Sequence, residues 1–164
     1  SAIPFLYPTA NYNYRGNQGI QNEIVSMFRK PENIQVPILV LVKCQNSQKI
    51  FGGYTPVGFN NPGNANYFNQ PVSHPLDYGY IYSEGSFIFS LENDDIQNMK
   101  LSRPKQSSYA IHNHYANAFN FGCGALYMQN QYLYLSGSPY YENYINTKVT
   151  FTIEEIEAFK VVKQ

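Results

Sequence analysis

Residues 36–43 read Val-Pro-Ile-Leu-Val-Leu-Val-Lys, apolar at all but the last position and rich in β-branched side chains. A continuous run of this length predicts a strand buried on both faces, with Pro37 at its beginning, where a missing N–H is tolerated. Residues 49–55 predict its hairpin partner across the polar turn 45–48, and Gly52-Gly53 within them predicts a bulge or a close backbone approach. Residues 79–91 alternate, with Phe87, Phe89 and Leu91 sharing a face. Further short strands are predicted at 109–112, 118–121, 125–128, 132–135 and 147–153, with a glycine-flanked corner at 122–124. The last element, 156–162, offers Ile156, Ala158 and Val161 as one face and Glu157 and Phe159 as the other. Only residues 21–30 carry a helical stripe (Ile24, Val25, Met27, Phe28), with Arg29 and Lys30 in the last turn and Pro31 as the stop. Many short strands separated by Gly, Asn and Pro turns predict a mainly β (α+β) domain of two antiparallel layers.

Two stretches fall outside this pattern. Residues 1–19 are a loop-rich opening segment, and residues 56–77 are rich in Asn, Pro and Gly and long enough to suggest a functional or mobile loop. No fixed-period repeat and no second domain are visible in the 164 residues, so 1–164 reads as one domain. The start at Ser1-Ala2, without Met or a signal segment, predicts a domain excised from a longer protein.

Composition narrows the function classes. Eleven basic residues balance eleven acidic ones, and charged residues make up only 13% of the chain. A chain without a basic excess lacks the electrostatic footprint for nucleic acid or an anionic membrane. No apolar run approaches the ~18–20 residues of a membrane span. Polarity comes instead from 30 Asn and Gln residues, none of the Asn lying in a glycosylation sequon, which favours the cytoplasm. Cys44 and Cys123 are too few for a disulfide framework; they could form one bridge, but two half-buried thiols in a reducing compartment is the plainer reading.

Candidate chemistry is sparse. His112 and His114 stand two apart, so on a strand both point to one face and could share a metal. No carboxylate or cysteine stands at ligand spacing, and nothing in the sequence draws His74 in, so local hydrogen bonding explains them better. Cys123, exposed by Gly122 and Gly124, could pair with His112 or His114 as a nucleophile, or serve as an oxidisable redox thiol, but spacing identifies no orienting third group. Glu92-Asn93-Asp94-Asp95 lacks the alternating ligands of a calcium loop and reads as a solvated turn. The glycine pairs are not phosphate loops, having no Lys-Ser/Thr and no dinucleotide spacing. The 16 tyrosines could build a stacking or sugar-binding surface, although half-buried positions account for most of them. Glu154, Glu155 and Glu157 form the one dense charge cluster, either a solvated turn or a partner-facing patch. No metal or cofactor is expected.

The order of motifs says more than any one of them. ILVLVK leads into IFGGYTP; a long loop follows, then SFIFSL, FGCGALYM, a Gly/Ser break, and finally FTIEEIEAFKVV. This succession resembles a TLDc domain, the module of the oxidation-resistance proteins and of several protist proteins, over residues 13–162. Phe59 and Phe159 stand where family members often have Trp, and the loop 60–77 is long. The amide-rich composition is similar to that of protist proteins. The resemblance implies an antiparallel β-sandwich of two sheets flanked by a few short helices. It implies a non-enzymatic interaction module that protects against oxidative damage and binds the vacuolar proton-pumping ATPase. Gly52, Gly53, Gly122 and Gly124 match the family's pattern, Glu155 and Glu157 match acidic positions of its closing motif, and no catalytic residues carry over. The other readings are a structural subunit of a cytoskeletal or ciliary assembly, a thiol-based redox enzyme, and a lectin-like binder.

Overall fold

The computed structural model describes residues 2–6, 19–59, 79–92, 95–114 and 116–163. The predicted loop 60–77 and His74 lie outside the described residues, as does most of the opening segment. One helix, α1 (Gly19–Phe28), follows β1 (Ala2–Leu6), and strands β2 (Ile38–Cys44) and β3 (Lys49–Thr55) form the expected hairpin. Next come β4 (Tyr80–Ile81), β5 (Phe87–Glu92), β6 (Lys100–Ser102), β7 (Ile111–His112), β8 (Phe119–Phe121), β9 (Leu126–Gln129), β10 (Tyr132–Tyr134) and β11 (Thr150–Lys163).

All pairings are antiparallel, in the hydrogen-bonded order β4-β7-β8-β9-β10-β11-β2-β3-β5-β6, with β1 on β11. The path folds into two layers, and β11 belongs to both. Its first residues pair with β10, and from Ile153 onward it pairs with β2. The register shifts between Ile153 and Glu155, a bulge that bends the strand where it changes layer. Ile153 and Ile156 are an odd number apart yet both fully buried, which strict alternation forbids; the extra residue at the bulge resets the phase. The two elements predicted at 147–153 and 156–162 are therefore one strand. Within it Val161 falls in register with Glu157 and Phe159, not with Ile156 and Ala158 as its apolar character suggested.

Ile38, Val40, Val42 and Cys44 of β2 are fully buried between the layers. Leu39 and Leu41 on the other face are only half-buried, so the expectation of a strand buried on both faces holds for one face alone. Gly52 and Gly53 produce no bulge, since β3 keeps an unbroken register with β2 and β5. Each glycine admits an aromatic ring instead, on opposite faces. A Cβ on Gly53 would lie 2.5 Å from two ring carbons of Phe121 in the facing layer, and one on Gly52 would meet the Phe89 ring and lie 2.6 Å from the Val40 carbonyl oxygen.

Residues 79–91 split into β4, which pairs with β7, and β5, which pairs with β3. The helix buries Ile24, Met27 and Phe28, and the Phe28 ring packs 4.9 Å from Phe59. Phe59 in turn meets Phe121 edge-on at 5.4 Å, filling an aromatic core position. Pro31 opens a 3-10 turn (Pro31–Asn33), and the buried Asn33 amide donates at 2.8 Å to the Met27 carbonyl, which also accepts from the Lys30 N–H at 3.3 Å.

Candidate functional site

Two surface regions gather the residues that sequence reasoning singled out. The first is the corner between β8 and β9. Gly122, Cys123 and Gly124 all take positive φ, at 65°, 54° and 114°. Asn120 braces the turn, accepting from the Gly124 N–H at 2.9 Å and donating to Asn117 Oδ1 at 2.9 Å. Gly122 leaves room for the ring of Tyr141, whose hydroxyl donates to the Ala110 carbonyl at 2.9 Å. Cys123 is left exposed on this corner while Cys44 is buried in β2, and both are free thiols. Neither is half-buried: β2 hides one and the corner presents the other. Burial pushes the Cys44 thiol up to about 12.

Cys123 shares an open cleft of about 370 Å³ with His112, His114, Asn117, Asn120 and Tyr127. Burial first and the neighbouring Cys123 side chain second raise the pKa of the Tyr80 hydroxyl. The Tyr80 ring stacks on His112 at 4.6 Å, and the rings of His112 and His114 lie 5.2 Å apart. The two histidines thus share a side, as their spacing predicts. Burial, and then the neighbouring His114, push His112 down to about 4, and burial lowers His114 as well. Both imidazoles are neutral at pH 7. His114 Nδ1 accepts from the Ala116 N–H at 3.1 Å, which places its proton on Nε2, while His112 Nδ1 is buried with no hydrogen-bond partner. Among the described residues no three His, Cys, Asp or Glu side chains gather as metal ligands. The cleft therefore offers a thiol, a tyrosine hydroxyl and neutral imidazoles, with no carboxylate among the lining residues.

The second region is the outer face of the layer built from β11, β2, β3 and β5. Cross-strand partners point to the same side of a sheet. Leu41 partners Gly52 and Glu157, Gly52 partners Phe89, and Lys43 partners Ile50 and Glu155. Leu41, Ile50, Phe89 and Leu91 accordingly floor a groove of about 260 Å³ with Glu155 and Glu157 along one wall. The bulge sets this arrangement, because it turns Glu155 and Glu157 outward as Ile153 and Ile156 turn inward. Glu154, at the bulge, sits 3.9 Å from the Lys43 ammonium. The three glutamates are half-buried on a strand rather than placed in a turn.

The remaining candidates settle into structural roles. Asp95 caps a 3-10 turn by accepting from the Gln97 N–H at 3.1 Å, and Asn93 and Asp94 lie outside the described residues. Tyr127 stacks on Tyr134 at 4.8 Å and Tyr109 on Tyr140 at 4.4 Å, so several tyrosines serve as cross-strand and loop packing. Sequence reasoning missed Tyr80 as the neighbour of Cys123 and Leu41 and Ile50 as groove floor. The alternation of Phe89 with Leu91 signalled an apolar face, but the β2–β3–β5 register that assembles the floor has no signature in one strand alone. Among the described residues no helix is long and apolar enough to cross a membrane.

A comparison with curated proteins finds none that matches. A family model of the TLDc domain, in contrast, matches residues 14–162. With that match spanning the helix, both sheet layers and nearly all of the bulged closing strand, the chain belongs to the TLDc domain family.

Proposed function

We propose that this domain is a non-catalytic protein-interaction module that docks on a larger assembly, with the vacuolar proton-pumping ATPase as the leading partner, and that it contributes in this way to resistance against oxidative damage. The observation that carries the reading is the outward face of the β11 layer. There Glu155 and Glu157 border an apolar groove that the described residues leave uncovered. Family membership supports the same reading. A cytoplasmic site of action beside the membrane follows from this partner.

The test is capture of vacuolar ATPase by the folded domain, read together with the pump's ATPase rate. The reading predicts capture with a changed rate, and loss of both on charge reversal at Glu154, Glu155 and Glu157. Absence of capture by a folded domain would remove this partner.

A second reading, a thiol-based redox protein, draws on the exposure of Cys123 in a cleft with two neutral histidines. It requires peroxide consumption faster than that of free thiol at equal concentration, lost in Cys123→Ser. Consumption at the free-thiol rate would sink it.

A further inference from the structure

We infer that the outward groove docks a basic amphipathic helix of a partner protein; this deepens the interaction reading above and rests on it. The groove lies on the middle of a sheet layer, where β2 and β3 are each paired on both sides. Their backbone groups are already used in ladders, so an extended peptide has no free edge to extend. A helix satisfies its own backbone and needs only an apolar face to lie on, which is how helices cover sheets.

The dimensions suit that occupant. A cavity of about 150 Å³ admits one benzene ring. The groove's 260 Å³ over Leu41, Ile50, Phe89 and Leu91 therefore takes about two bulky side chains. Glu155 and Glu157, alternate residues of one strand, stand about 6.6–6.8 Å apart along it. Residues i and i+4 of a helix are separated by about 6 Å of rise. A helix running along β11 can thus set two lysines or arginines, one turn apart, against the two carboxylates while its leucine-like side chains enter the floor.

The charge is available for such a partner. Neither Glu155 nor Glu157 has an ion pair or hydrogen bond among the described residues, and the one cation lining the groove, Lys43, is met by Glu154 at 3.9 Å. The rim carries a surplus of two negative charges beside an apolar floor, which selects a cationic, apolar segment over an acidic one.

The experiment is a fluorescence-anisotropy titration of the domain with a labelled helical peptide of about 18 residues. The peptide carries Leu along one face, Lys at i and i+4 beside it, and Ala elsewhere. Saturable binding is expected, weakened about tenfold or more in Glu155→Lys/Glu157→Lys. Leu91→Ser should weaken it as well, with the melting temperature of the charge variant unchanged. Equal binding by wild type and the charge variant would overturn the inference. So would equal binding of a peptide with Glu in place of Lys, or failure of wild type to bind. A wild-type dimer in sedimentation that the charge variant dissociates would assign the groove to a second copy and overturn it too. Vacuolar ATPase capture by both proteins, run in parallel, separates the two readings. Equal capture without peptide binding removes the groove alone, and peptide binding without capture removes that ATPase alone.

Discussion

Gly53→Ala tests how closely the two layers are packed. The new methyl carbon would start 2.5 Å from Phe121 Cε2 and Cζ, about 1 Å inside an ordinary contact. Phe121 is fully buried, and Phe59 meets it edge-on at 5.4 Å, so the ring has no open side to move into. Gly53 does not take a positive φ, so alanine meets no backbone penalty there. Overpacking of this severity costs about 2–3 kcal/mol, of which the lower unfolded-state entropy of alanine returns roughly 0.4–1 kcal/mol. The net loss is about 2 kcal/mol, or about 4–8 °C of melting temperature for a chain of this length. Thermal unfolding followed by circular dichroism reads it, with Gly79→Ala as control, because a Cβ there meets nothing within 4 Å among the described residues. Adding Phe121→Leu should make the double variant less destabilised than the sum of the singles by about 1 kcal/mol. A Gly53→Ala melting temperature at or above wild type, or strict additivity with Phe121→Leu, would refute the packing argument.

Three further outcomes follow from the same structure. Burial and the neighbouring His114 push His112 down to about 4 in the fold from the usual 6.5, so the unfolded chain holds more protons between those values; its contribution is fully present above pH 6.5 and is lost as pH falls towards 4. Discounted for its partial exposure, it is worth on the order of 1–2 kcal/mol. Urea midpoints at pH 7 and 4.5 should therefore differ less in His112→Gln than in wild type, and equal differences would exclude the histidine as a source. Asn33→Ala removes the amide that meets the Met27 carbonyl and should cost about 1–2 kcal/mol in urea unfolding, whereas an unchanged midpoint would mean that the bond contributes nothing. An aromatic disulfide reagent should modify Cys123 in the native protein and Cys44 only after denaturation; early modification of Cys44 would contradict its burial.

The local signals in the chain were strong enough to place β2, β3, the β9–β10 hairpin and α1 within a few residues. What failed was phase and pairing. Residues 156–162 suggested two alternating faces, but the bulge at Glu154 fixes which face is buried, and it depends on β10 and β2 competing for one strand. The 79–91 alternation is real, yet its two halves pair with β7 and β3, in different layers. The candidate site was legible as residue types, since Cys123, the histidines and the glutamates all stood out. It was not legible as geometry: Tyr80 comes to Cys123 from 43 positions earlier in the chain, and the groove floor is drawn from three strands.

The shared closing strand also has a consequence for how the chain is made. β2 is fully apolar on its inner face, and its partner on one side, residues 150–163, is synthesised 106 positions after Cys44. At roughly 5–20 residues per second, that edge waits about 5–20 s for its partner during translation. Neither layer is complete before β11 emerges, so the nascent domain presents an unpaired, apolar strand edge to chaperones or to neighbouring chains until that strand arrives.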